Sequence, residues 1–213
     1  MTAPIYTIDR NRIPPTLINE AAATINRGGV VILPTSGLYG LCCNALNEAA
    51  VRRIFSIKNR ARENPLLVLI SHRGMLSDIV AAETALANAL MDRFWPGKLT
   101  LVMQGRKGLP QGLCSDTGKV GVRLAAHPVA AAVVQAVGGP VTGTSANLSG
   151  AGGCAAVDAV DPKVVRSVDL ILDAGTLEGG PGSTVVDVTG AAPRILREGA
   201  VATAAIMEVK LNT

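Results

Sequence analysis

Aromatic residues are nearly missing from this chain: only 2% of its 213 residues are Phe, Tyr or Trp, although 48% are hydrophobic. A protein so poor in rings has no platform on which to stack single-stranded bases. Its core must be aliphatic, of Ala, Val, Ile and Leu, which suits strands layered under Ala-rich helices. Histidine is as scarce, with only His72 and His127, and Cys42, Cys43, Cys114 and Cys154 form no Cys-x-x-Cys. Those spacings assemble no zinc pattern, so no metal site is expected, and the thiols read as small buried residues of a reduced, cytoplasmic protein. No apolar run reaches membrane-spanning length without a charge or turn residue, and Met1 to Asp9 lacks the layout of a signal peptide. The net charge of +4 is modest and is accounted for by solubility as well as by nucleic acid. The P-loop pattern is absent, because Gly97-Lys98 lacks both the upstream glycine and the following Ser or Thr.

Hydrophobic spacing supplies the elements. Pro14-Pro15 opens a helix whose Leu17, Ile18, Ala21, Ala22 and Ile25 recur at three and four residues, and Gly28-Gly29 closes it. The continuous apolar run 30–33 is the signature of a strand covered on both faces. A turn over 34–37 follows, then a loop through Tyr39-Gly40-Leu41. Asn47 caps a second helix carrying Val51, Ile54 and Phe55, whose exit delivers Lys58 and Arg60. Further strands are expected at 66–70, 99–103, 120–124, 140–144, 168–172, 184–186 and 194–197, with helices over 78–94, from His127-Pro128 and over 158–167. Early strands alternate with helices and late ones come in quick succession. The order fits an α/β fold with one twisted, mixed parallel and antiparallel open sheet flanked by helices. No repeat, linker or composition shift divides the chain, so 1–213 reads as a single domain.

Two distant tripeptides share a shape. Lys58-Asn59-Arg60 places two cations at i and i+2, and Ser145-Ala146-Asn147 places two neutral hydrogen-bonding groups likewise. Such pairs share a face on an extended backbone and not on a helix, so both segments are expected to be extended and to form the floor of a nucleotide-triphosphate site. Arg52, Arg53 and Arg62 complete an acid-free cationic run with Lys58 and Arg60, Arg52 and Arg53 reading as a solvated helix face. Arg123 ends an apolar strand, where its fork suits a substrate carboxylate or a structural salt bridge equally. His127 reads as a catalytic base or as a capping residue. Thr35 offers a hydroxyl and Tyr39 a wall at the end of a buried strand, or else an ordinary turn. Ser183 and Arg197 could reach the same rim, or be a turn hydroxyl and a surface cation. Gly150-Ala151-Gly152-Gly153-Cys154-Ala155 satisfies the dinucleotide fingerprint formally, but no strand stands directly before it.

Taken together these segments resemble the YrdC-like family, whose members make threonylcarbamoyl-AMP for a tRNA modification next to the anticodon. The matching stretches are Pro34-Thr35 with Tyr39-Gly40-Leu41, Lys58-x-Arg60, Asn64-Pro65-Leu66 and Trp95-Pro96-Gly97 with Leu99-Thr100. They continue with Val122-Arg123, His127-Pro128, the run from Thr144 to Gly150, Ser183-Thr184-Val185-Val186-Asp187 and Ile195-Leu196-Arg197. The resemblance implies a nucleotidyltransferase, an L-threonylcarbamoyladenylate synthase using L-threonine, bicarbonate or CO2 and ATP, with Mg²⁺ carried by the phosphates. It implies that Lys58 and Arg60 neutralise phosphates or the carbamate. Thr35, Arg123, Asn147 and Ser183 would hold threonine, and Ser145 and Arg197 the nucleotide. It also implies contact with tRNA or double-stranded RNA, partner proteins that complete transfer to tRNA, and a type without the extra C-terminal domain of longer members. Departures stand at Ser36-Gly37 (usually an acid and a threonine), Ala61, Leu69, Lys119, Ala155 and Glu198, the last shared with YciO-like paralogues. Two other readings follow from the same family: a non-catalytic RNA-binding or ribosome-associated module, and a carbamoyl-adenylating enzyme with another acceptor.

Overall fold

The computed structural model describes residues 3–9, 12–61 and 63–209, so that Arg62 of the cationic run lies outside the described residues. In chain order its elements are β1 (Ile5–Thr7), α1 (Pro15–Asn26), β2 (Val31–Pro34), β3 (Tyr39–Cys42), α2 (Glu48–Lys58) and β4 (Val68–Ile70). There follow α3 (Ala85–Phe94), β5 (Leu99–Gln104), β6 (Lys119–Leu124), α4 (Pro128–Val137), β7 (Val141–Thr142) and β8 (Thr144–Ser145). The last are α5 (Pro162–Val165), β9 (Leu170–Asp173), β10 (Thr184–Asp187), β11 (Arg194–Arg197) and α6 (Thr203–Met207).

The fold is α/β and mixed, as expected, but its strands form two open sheets rather than one. The first runs β1-β9-β2-β3-β8 and the second β11-β10-β5-β6-β4-β7. In the first, two parallel pairs (β1 with β9, β9 with β2) are followed by two antiparallel ones, whereas in the second parallel pairs (β10 with β5, β6 with β4) alternate with antiparallel ones. The division falls inside the stretch 140–144 that reads as one strand. β7 pairs with β4, and two residues later β8 pairs with β3, so the chain changes sheets at Gly143. A Cβ on Gly143 would stand 2.4 Å from Leu69 Cγ, and only glycine allows the crossing so close to β4.

Burial explains the elements. Every residue of β2 and β3 is buried, and α1 turns Ile18, Ala21, Ala22 and Ile25 inward while packing against α4. Asn47 Oδ1 caps α2 by accepting from Ala50 N at 3.1 Å. Trp95, one of the few rings, is buried and donates its indole N–H to Leu99 O at 2.8 Å. Three expectations are corrected. Residues 39–42 form β3 rather than a loop, because the tight turn after Pro34 folds them back on β2. The helix expected over 78–94 begins only at Ala85, capped by Thr84 Oγ1; a short 3₁₀ turn, Arg73–Asp78, comes before it. The helix expected over 158–167 shrinks to α5, which starts at Pro162 behind the cap of Asp161. Cys42, Cys43 and Cys154 are buried, Cys114 is partly so, and all four are free thiols. Among the described residues, no helix is long and apolar enough to cross a membrane.

Candidate active site

A cavity of about 720 Å³ lies where the two sheets meet. Its floor is one face of the second sheet, drawn by the two-residue period of the strands. Lys119, Gly121 and Arg123 from β6, Thr100 and Val102 from β5, and Val185 and Asp187 from β10 all line it, with Ser183 just before β10. Thr35, Leu38, Tyr39 and Ser145 bring in the first sheet, and Arg60, Arg194 and Arg197 stand on the rim.

Arg123 is the most demanding group. It is 7% exposed, and its Nε is the one buried side-chain nitrogen or oxygen among the described residues without a hydrogen-bond partner. Among the described residues no acid pairs with it; burial pulls its guanidinium down to about 10, so it stays charged at neutral pH. A buried cation aimed into an open cavity is a receptor for an anion. Nearby, Ser183 Oγ lies 2.7 Å from Thr100 Oγ1, and Arg197 Nη2 donates to Ser183 O at 2.7 Å. Arg60 donates from Nε to Asn64 O at 2.8 Å and from Nη2 to Pro65 O at 3.3 Å. Its pKa is lowered, by burial first and by the Arg197 charge second, which puts these two cations within each other's field. Thr35 Oγ1 donates to Leu38 O at 2.6 Å, closing the turn.

Lys58 and Asn147 depart from the expected floor, for neither lines the cavity. Lys58 ends α2 and Asn59 follows in the left-handed region at φ 48°, so the pair of cations is not on an extended backbone. The Lys58 ammonium is 1% exposed and donates to Ser145 O at 2.5 Å, Asn147 O at 2.6 Å and Asn147 Oδ1 at 3.1 Å. Those three bonds use its three hydrogens. Burial, and then the neighbouring Arg60 charge, pushes its pKa down to about 8. Asn147 is also consumed: Oδ1 accepts from Ser145 Oγ, and Nδ2 donates to Leu148 O and Ala151 O. Ser145 alone of its tripeptide's two polar side chains reaches the cavity wall, and it does so from β8.

The remaining sequence candidates sort cleanly. His127 is the N-cap of α4, its Nδ1 accepting from Val129 N at 3.3 Å, away from the cavity. Arg52 pairs with Glu48 on the surface, whereas Arg53 leaves the solvated face to hold Asp169 at 2.5 Å. No helix opens on residues 150–155, so the dinucleotide fingerprint is not realised. Gly37, in the left-handed region at φ 112°, accepts from Gly179 N; a Cβ there would approach Gly179 O to 2.8 Å. That departure lets the glycine-rich connection between β9 and β10 settle on the Thr35 turn. Thr100, Asp187 and Arg194 also line the cavity; of the three only Asp187 has a local signal, the alternation Ser183-x-Val185-x-Asp187.

Comparison with known proteins places these features in company. The model of the Sua5/YciO/YrdC family, described as telomere recombination, matches residues 23–199. A threonylcarbamoyl-AMP synthase of Pyrococcus abyssi is 36% identical over 190 residues, which are 89% of this chain and 56% of that protein. The crystal structure of P. abyssi Sua5 complexed with L-threonine superposes with a TM-score of 0.90 at 33% identity, covering 98% of this chain and 61% of that one. The chain thus spans little more than half the length of these archaeal relatives. A threonylcarbamoyl-AMP synthase of Xanthomonas euvesicatoria pv. vesicatoria is 35% identical over 162 residues, 75% of this chain and 86% of that protein.

Proposed function

The chain belongs to the Sua5/YciO/YrdC family, and we propose that it is an L-threonylcarbamoyladenylate synthase acting in the cytoplasm. It joins L-threonine, bicarbonate or CO2 and ATP into threonylcarbamoyl-AMP, releasing pyrophosphate, and partner proteins carry the product to tRNA. The observation that supports this best is the buried, acid-free Arg123 guanidinium with an unpartnered Nε in a cavity shared by two sheets. A module that only bound RNA would have no use for a cation withdrawn from its surface.

The threonine carboxylate docks on Arg123, with Thr35 and Ser183 beside it. Its amine adds to CO2, forming the N–C bond and losing one proton. A carbamate oxygen then forms a bond to the α-phosphorus of ATP while the bond to the bridging oxygen breaks, and the electron pair leaves with pyrophosphate. The protein's share is positioning and charge neutralisation, for which Arg60 and Arg197 serve the nucleotide and Ser145 the wall beside it. Lys58 and Asn147 act one step back, holding the Ser145 turn in place. Mg²⁺ arrives on the ATP phosphates; the described residues include no group of three or more His, Cys, Asp or Glu placed to hold a metal.

The test is pyrophosphate release with ATP, Mg²⁺ and bicarbonate, run across several amino acids. Release should depend on threonine and vanish in Arg60→Ala. Equal release without any amino acid overturns the assignment.

A further inference from the structure

Arg123 and Ser183 come from different strands, and Thr100 stands between them on the cavity floor. The antiparallel register that pairs Leu101 with Val122, carried one residue further, sets Thr100 opposite Arg123. On its other side β5 runs parallel to β10, with Thr100 opposite Val185. Ser183 lies two residues before Val185, on the same face by the alternation of the strand, and its Oγ is 2.7 Å from Thr100 Oγ1. Each of the two residues is 3% exposed, so the protein rather than bulk water decides where their hydrogens point.

Two hydroxyls at that distance share one hydrogen bond, and its direction follows from their other contacts. Each has one hydrogen and two lone pairs. Thr100 turns its methyl group toward β6, where Cγ2 lies 3.3 Å from the place a Cβ on Gly121 would take. Its hydroxyl is thereby aimed at β10, and among the described residues Ser183 Oγ is the one partner it has. Ser183 Oγ also stands 3.4 Å from Arg197 Nη2, a group that can only donate. Were Ser183 to donate to Thr100, the Thr100 hydrogen would be buried without an acceptor, which costs more than an ordinary hydrogen bond gains. With Thr100 as donor, both lone pairs of Ser183 Oγ are taken, one by Thr100 and one by Arg197. The serine hydrogen is left for the cavity, and two donors behind it polarise the O–H into a stronger donor.

We propose that Thr100 is a positioning residue for the amino-acid substrate: by donating to Ser183 Oγ it turns the serine hydroxyl outward, as a donor to the carboxylate held by Arg123. This deepens the proposed function and rests on it.

Threonine-dependent pyrophosphate release by the full chain, with threonine and ATP varied in turn, tests this through a double-mutant cycle. Thr100→Val keeps the branched shape and removes the hydroxyl. It should raise the KM for threonine about three- to tenfold, the worth of one hydrogen bond, and move the KM for ATP less than about twofold. Thr100→Ser should restore the wild-type value. In a Ser183→Ala background Thr100→Val should change the threonine KM less than about twofold, because the hydroxyl it orients is gone. An effect of equal size in both backgrounds overturns the proposal, as does Thr100→Ser behaving like Thr100→Val. Where Thr100→Val does not fold, Thr100→Ala in the two backgrounds carries the same comparison. Release that needs no amino acid defeats the synthase and this role with it, whereas threonine-dependent release with an additive cycle defeats only the role of Thr100.

Discussion

Lys58 Nζ donates to both the main-chain and the side-chain oxygen of Asn147, 89 residues further along the chain. The end of α2 is thereby bolted to the turn after β8, and Ser145 faces the cavity because of it.

Removing that bolt should cost stability before it costs chemistry. Lys58→Met takes one donor from each of Ser145 O, Asn147 O and Asn147 Oδ1, the first and last keeping a bond from Asn147 N and Ser145 Oγ, and should destabilise the fold by about 2–4 kcal/mol in urea unfolding. Arg60→Ala, on the rim, should lose activity with far less effect on stability. A Lys58→Met protein as stable as wild type but inactive would mean that this lysine meets the ligand itself.

Arg123→Ala should raise the apparent KM for threonine by about ten- to a hundredfold, the worth of a charged hydrogen bond, and leave that for ATP much less altered. Steady-state kinetics with each substrate varied in turn gives the answer. Equal effects on both contradict the carboxylate role.

Gly143→Ala should destabilise the protein by about 1–3 kcal/mol, since its new methyl group overlaps the Leu69 side chain. Combined with Leu69→Ala the two losses should sum to more than the double variant shows, because the smaller side chain makes room. Strict additivity in a double-mutant cycle would mean the sheet crossing tolerates a side chain.

Acid should find Asp187. Its carboxyl is held below the ordinary value of 3.8, burial opposing ionisation and the bonds from Lys119, Thr189 and Arg194 outweighing it. A depressed carboxyl binds its proton more weakly in the folded state, so its stabilisation is complete above the unfolded value and is lost as pH falls toward the folded one. Melting temperature should fall more steeply for wild type than for Asp187→Asn between about pH 4 and pH 2. Parallel slopes would remove Asp187 as the cause.

Much of the fold is legible along the chain because it depends on neighbours in sequence. The run that becomes β2 is apolar without a break, and α1 and α2 begin and end at Pro, Asn and Gly signals that need no tertiary partner. β3 hides because Tyr39-Gly40-Leu41-Cys42 contains a glycine and gains its pairing only when the Thr35 turn closes. α3 comes out shorter than its Ala-rich stretch suggests, for Thr84 caps it late.

The site divides along the same line. Residue types, order and alternation on each strand determine which groups are present: Arg123 inside an apolar strand, Ser183 just before β10 in alternation with Val185 and Asp187 on it, cations at the exit of α2. Which of them line the cavity was decided only by tertiary structure. Lys58 and Arg60 are two residues apart with equal charge, yet one is buried under three oxygens and the other lines the cavity. The reason is desolvation: a buried ammonium must have all its hydrogens met, and the acceptors came from a turn on another sheet that no local pattern could announce.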